Sequence, residues 1–144
     1  MKVICIGNTG KEIPISERMS LESDRTSYAP LKIGEEYEVY GLMFKSRQVK
    51  YFVEAEGLSV MWAPSCLFKI LDATIPSGWV FCNAKENEAY QGLFESFEII
   101  SMIGYPLLVT DMNHYVGLLE RDHIELRKFL DYKRDNRVDV DDFY

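Results

Sequence analysis

From Leu31 to Phe81, short apolar and aromatic runs follow one another: LKIGEEYEVYGLMF, QVKYFVEAEGLSVMWAPSCLFKI and IPSGWVF, punctuated by Lys-Ser-Arg, Glu-Gly and Ala-Pro. Brief runs bounded by turn formers predict the strands of a small, strongly bent antiparallel sheet. In Glu36–Phe44, alternation places Tyr37, Val39, Gly41 and Met43 on one face and Glu38, Tyr40, Leu42 and Phe44 on the other. The first half is polar on one side and the second half apolar on both, so the strand passes from sheet surface into core. Gln48–Ala55 alternates more cleanly, and Glu56-Gly57 turns the chain into Leu58–Trp62. Pro64 ends that strand, Pro-Ser-Cys suits one turn of 3₁₀ helix before Leu67–Ile70, and Trp79–Cys82 is a last strand.

Upstream, Lys2–Ile6 reads as a first strand stopped by Gly7-Asn8-Thr9-Gly10. Residues 11–30 show no period, only a surface excursion with one helical turn around Glu17–Glu22. A loop of this length is either a binding loop or hides an element. Downstream the pattern turns helical. Tyr90, Leu93, Phe94, Phe97, Ile100 and Met102/Ile103 form one apolar stripe, with Asn87 as cap, Gly104 as stop and Pro106 behind it. A second stripe runs through Tyr115, Leu118, Leu119, Asp122, Leu126, Phe129 and Leu130, capped by Asp111 or Asn113. Pro106–Thr110 between them could extend either helix or form a short strand. The expected organisation is a β-unit over 1–83, a helical region packed on it over 84–134, and an acidic tail over 135–144.

Composition narrows the partners. Residues 1–83 carry 9 Lys/Arg against 10 Asp/Glu, whereas 84–144 carry 7 against 13, so most of the net charge of −7 sits in the second part. That sign repels phosphate backbones and anionic lipid, so nucleic acid and membrane are disfavoured; a basic protein would be attracted, while surplus acid also serves simply to keep a domain soluble. No apolar run approaches the roughly 20 residues of a membrane-spanning helix, and a cytoplasmic location is expected. Cys5, Cys66 and Cys82 are odd in number, lie inside apolar runs and form no C-x-x-C pair, which reads as buried free thiols.

Candidate chemistry is sparse. Gly7-Asn8-Thr9-Gly10-Lys11 follows a strand as a phosphate-binding loop does, but its glycines are two residues too close and Pro14 denies the helix. His114 and His123 stand nine apart on a helical stretch, without metal-ligand spacing, and are expected to be solvated or capping. Glu95 and Glu98 share a helical face as exposed charges. Neither a nucleophile–base constellation, a metal nor a cofactor is implied. The aromatic series from Tyr37 to Phe81 serves mostly as core, with the tyrosines and Trp62 expected to reach the surface.

The motifs Leu31-x-Ile33-Gly34-x-x-Tyr37-x-Val39-Tyr40-Gly41, Trp62-x-Pro64-x-x-Leu67-Phe68 and Trp79-x-Phe81, with the opening Val3-x-Cys5-Ile6-x-Asn8-Thr9-Gly10-Lys11, resemble a family of small bacterial proteins built on an SH3-like barrel. The resemblance covers residues 2–82. It implies an SH3-like antiparallel β-barrel over those residues and carries over no catalytic residue; with the two or three α-helices read from the downstream stripes, the expected fold class is α+β. Such proteins are found as immunity or accessory proteins beside bacterial polymorphic toxins. The expectation is therefore a non-enzymatic immunity protein that occludes a basic toxin, through Asp139, Asp141 and Asp142 in the tail and Glu54 and Glu56 beside the hairpin. The alternative is a regulatory module that takes a peptide or small ligand on an aromatic face formed by Tyr40, Tyr51 and Trp62.

Overall fold

The computed structural model describes residues 1–136. Seven antiparallel strands and four helices make a mixed α+β fold. The strands are β1 (Lys2–Cys5), β2 (Glu36–Lys45), β3 (Val49–Ala55), β4 (Ser59–Pro64), β5 (Phe68–Asp72), β6 (Val80–Phe81) and β7 (Ile99–Gly104). Five lie in the order β4-β3-β2-β1-β5, β7 pairs β2, and β6 pairs β7. No pairing among the described residues joins β4 to β5, so the sheet is open at both ends of this path. Single 3₁₀ turns occupy Gly10–Glu12, Ile15–Glu17 and Ser65–Leu67, the last where Pro-Ser-Cys predicts one.

The alternation expected along β2 breaks at Tyr40. Val39 pairs Val53, yet Gly41 pairs Phe52 and Leu42 pairs Tyr51, so a bulge inserts one residue. Tyr37 and Val39 therefore share a face with Leu42. Tyr40 instead turns toward the helices with Gly41, its ring 5.0 Å from Phe129 and edge-on to it. Both faces of the sheet are then apolar. On one, Val3, Cys5, Tyr37, Tyr51, Val53 and Phe68 are buried, and the Phe68 ring meets Tyr37 and Tyr51. On the other, Phe52 and Trp62 are covered by Phe129 and Tyr115.

The helical cover is more broken than the two stripes predict. Helix α1 (Glu88–Ser96) starts at Asn87, whose side chain accepts the Ala89 N–H, and stops eight residues before Gly104. Glu98, at φ 55°, reverses the chain, and residues 99–104 form β7 against the second half of β2. The run Ile99-Ile100-Ser101-Met102-Ile103 satisfies a helical stripe by spacing, but it is β-rich and completes the hydrogen bonds of a buried strand; tertiary pairing overrides local periodicity. Helix α2 (Pro106–Thr110) follows, with Pro106 in its first turn. Its Leu108 seats on a cross-strand glycine pair, since a Cβ at Gly41 would stand 2.9 Å from Leu108 Cδ2 and one at Gly104 3.1 Å. The second stripe divides into α3 (Met112–Leu119) and α4 (His123–Asp135). Arg121 takes a positive φ of 59° between them, and Asp122, expected on the apolar face, instead caps α4 by accepting from the Ile124 and Glu125 N–H groups.

Phe129 is fully buried and meets Tyr40, Phe52 and Tyr105. Phe129→Ala should lower stability by about 3–5 kcal/mol, the cost of emptying a well-packed aromatic site. Equilibrium urea unfolding measures it; a loss below about 1 kcal/mol would mean that α4 is not docked as described.

Candidate functional site

The start of β2 and the residue before it place Glu35, Glu36 and Glu38 within four residues. The end of β3 and its hairpin bring Glu54 and Glu56, and the end of β5 brings Asp72. These six carboxylates line one open cleft of about 1420 Å³, whose other wall is Trp79, Pro106, Tyr132, Lys133 and Asn136. Its only cations among the described residues are Lys32, Lys133 and the Met1 ammonium. Negative charge therefore dominates, and a cleft with protein walls concentrates that field.

The carboxylates are not equivalent. Glu54 accepts from Lys133 Nζ at 2.8 Å with both side chains largely buried, so the pair ties β3 to α4. Lys133 also stands 5.9 Å over the Phe129 ring. Glu56 pairs Lys32 at 2.6 Å in solvent; that partner holds the Glu56 carboxyl below its ordinary value and raises the Lys32 ammonium. Asp72 accepts the Thr74 N–H at 2.9 Å, which lowers its carboxyl too. Glu38 lies 3.7 Å from the Met1 ammonium. Glu35 and Glu36 are exposed and form no ion pair among the described residues. They have the most charge left to offer a partner.

Of the acidic residues expected from the sequence, Glu54 and Glu56 do lie on this cleft, while Asp139, Asp141 and Asp142 lie outside the described residues. The three aromatics do not form one exposed face. Tyr51 is buried against Phe68, on the side of β3 opposite Phe52. Trp62 is half-buried between Phe52 and Tyr115. Only Tyr40 lines the cleft. Glu35, Glu36, Glu38 and Asp72 were missed. The run Glu35-Glu36-x-Glu38 was a visible signal, but which carboxylates it would meet depends on β1 lying between β2 and β5.

His114 corrects the expectation of a solvated or capping histidine. Its side chain is fully buried, with Nε2 2.7 Å from the Tyr105 hydroxyl and Nδ1 2.7 Å from Glu125 Oε2. A carboxylate only accepts, so Nδ1 carries the proton and Nε2 accepts from Tyr105. Burial is the main influence on His114 and lowers its basicity, against the opposing pull of Glu125 and Asp111. Tyr105 is itself buried and stacks on Tyr132 at 4.2 Å. None of Tyr105, His114 and Glu125 lines the cleft. The relay locks α2, α3 and α4 together. His123, at the start of α4, is exposed. The three cysteines are free, but only Cys5 is buried, Cys66 and Cys82 being half-buried where buried thiols are expected; desolvation still raises each thiol, that of Cys82 to about 11. Among the described residues no cluster of three or more His, Cys, Asp or Glu could hold a metal ion, and no helix is long and apolar enough to cross a membrane. The chain matches no protein-family model, no curated protein and no solved structure.

The relay makes stability pH-dependent. Folded His114 resists protonation, whereas in the unfolded chain it titrates near 6.5. The unfolded state therefore gains the proton first, and stability is lost as pH falls through that value. The thermal midpoint should drop between pH 7.5 and 5.5, and His114→Gln should flatten the drop. An equal slope in the variant would show that other groups cause it.

Proposed function

We propose that this chain is a non-enzymatic binding protein of the immunity type, which docks a basic protein partner, a cognate toxin, in the acidic cleft. One observation carries the reading: six carboxylates from three separate strand ends converge on one cleft against three cations. Such a surface speeds encounter with a cationic partner and rejects anionic ones. The strand order β4-β3-β2-β1-β5 and the 3₁₀ turn before β5 support reading β1 to β5 as an SH3-like unit, with the sheet open between β4 and β5. Asn136, the last described residue, lines the cleft.

The second reading is a peptide-binding module that uses this cleft. Tyr37, Tyr40, Trp79 and Tyr132 all line the cleft, so an extended basic peptide would find aromatic walls beside the carboxylates. The ligand would then enter the same cleft rather than a separate Tyr40–Tyr51–Trp62 face.

A toxin encoded beside this chain is the partner to test. Glu36→Lys with Asp72→Lys should weaken binding in calorimetry by at least about tenfold and flatten its salt dependence. The same variant should fail to protect cells co-expressing the toxin. Unchanged affinity would remove the cleft as the docking site. Tail reversal at Asp139, Asp141 and Asp142 should add to the effect if the tail shares the contact.

A further inference from the structure

We propose that the buried Tyr105–His114–Glu125 relay is a pH-sensitive switch on the cleft, which re-seats Tyr132 in the cleft wall when His114 gains a proton. An unbroken row of contacts links the two. Glu125 Oε2 lies 2.7 Å from His114 Nδ1, and His114 Nε2 lies 2.7 Å from the Tyr105 hydroxyl. The Tyr105 ring stacks on Tyr132, with centroids 4.2 Å apart and planes 18° from parallel. Tyr132 lines the cleft beside Lys133, whose ammonium Glu54 holds at 2.8 Å. Tyr105 is 1% exposed and His114 0%, so in a close-packed interior neither moves without moving what it touches.

In the neutral relay Nδ1–H donates to Glu125 and the Tyr105 O–H donates to Nε2. Protonation puts a second N–H on the ring, so Nε2 and the hydroxyl then present protons to each other across 2.7 Å. The hydroxyl has to turn its proton out of the relay, inside a buried site. At the other ring nitrogen the bond to Glu125 becomes charge-assisted and tightens. The imidazolium is therefore drawn toward the first turn of α4 and away from Tyr105, and the re-seated Tyr105 ring carries Tyr132 with it. The charged groups facing His114 are Asp111, which caps α3, and Glu125 and Lys128 on α4. Those facing Tyr105 are Glu125 and the phenols of Tyr40 on β2, Tyr90 on α1 and Tyr132 on α4. Lys128 shares the Glu125 carboxylate through Oε1 at 3.1 Å, so the imidazolium never has that charge to itself. Burial outweighs the pull of the two acids, which puts the switch below the ordinary histidine value of 6.5. In the cleft, Lys32 and Thr74 hold the Glu56 and Asp72 carboxyls below their ordinary values, so these keep their charge while the wall changes. A basic partner seated in the cleft would then be held less firmly in mild acid; that consequence alone rests on the docking reading.

The test is an NMR titration of the full chain from about pH 7.5 to 5, the range in which an imidazole changes charge. A His123→Gln background leaves His114 as the one imidazole. The ring protons of His114 and Tyr132 and the indole N–H of Trp79, which lines the same wall, should shift with one common midpoint below 6.5. Amides of β1 should not follow. Tyr105→Phe keeps the stacked ring and removes the hydroxyl. It should raise the His114 midpoint, because a donor to the neutral imidazole is gone, and erase the shifts at Tyr132 and Trp79. Glu125→Gln should lower the midpoint, since the charge that favours the imidazolium is removed. A His114 titration that leaves Tyr132 and Trp79 unmoved would overturn the proposal. So would shifts that persist in Tyr105→Phe, shifts that spread equally over β1, or no titration of His114 in this range. Reversal of Glu36 and Asp72, which tests docking, touches none of the relay, so the two readings fail separately.

Discussion

Strands β2 and β3 bury both of their faces, and everything else in the fold is arranged to permit it. Along β3, Tyr51, Val53 and Ala55 point to one side and Phe52 to the other, and all four are buried. A sheet in that position needs a layer on each face, since leaving either open would return several large side chains to water at about 1.5–3 kcal/mol apiece. One layer is supplied by the sheet's own curvature through β1, β5 and the 3₁₀ turn at Ser65–Leu67. The other must be supplied by helices. The bulge at Tyr40 is what lets a single strand serve both layers, because it adds Tyr40 and Gly41 to the helical side without losing Tyr37, Val39 and Leu42 from the other.

That double burial explains which elements could be read in advance. Strands β1 to β6 and the 3₁₀ turn follow from short apolar runs and from Gly and Pro at their ends, signals carried by neighbours in sequence. Residues 99–104 carry no such signal. Their spacing fits a helix as well as a strand, and the choice is made by the unpaired edge of β2's second half, some sixty residues away. The break at Arg121 is similar: nothing but the need to turn α4 back over Phe52 and Tyr40 calls for a positive φ there. Likewise the bulge at Tyr40 leaves no mark in the alternation, because both halves of that strand already read as apolar.

The candidate sites divide along the same line. Glu54 and Glu56 could be found from a hairpin beside acidic residues, and the Glu35-Glu36-x-Glu38 run was visible, but the cleft exists only because β5 returns beside β1 and α4 lies opposite. His114 was misjudged since helix position alone says nothing about Glu125, eleven residues on, whose carboxylate fixes its tautomer. The aromatic face failed for a plainer reason. Tyr51 and Trp62 obey strand alternation and point to opposite sides, and each is already committed to packing.

Site and fold are joined through α4. One wall of the cleft is Tyr132, Lys133 and Asn136, at the helix's last turn, and that turn is held by the Lys133–Glu54 pair, by Phe129 beneath it and by Tyr132 stacking on Tyr105. Tyr105 in turn is held by His114, and His114 by Glu125 at the other end of α4. The helix is thus fixed at its first turn by the buried relay, at its middle by an aromatic, and at its end by an ion pair whose acidic member belongs to the cleft. Removing Glu54 would do two things at once: it would subtract a charge from the docking surface and release a half-buried Lys133 into the cleft. The two changes shift the field in the same direction, toward positive, so Glu54 is a poor probe of partner contact. Glu35 and Glu36, which hold nothing else in place, report on the partner alone.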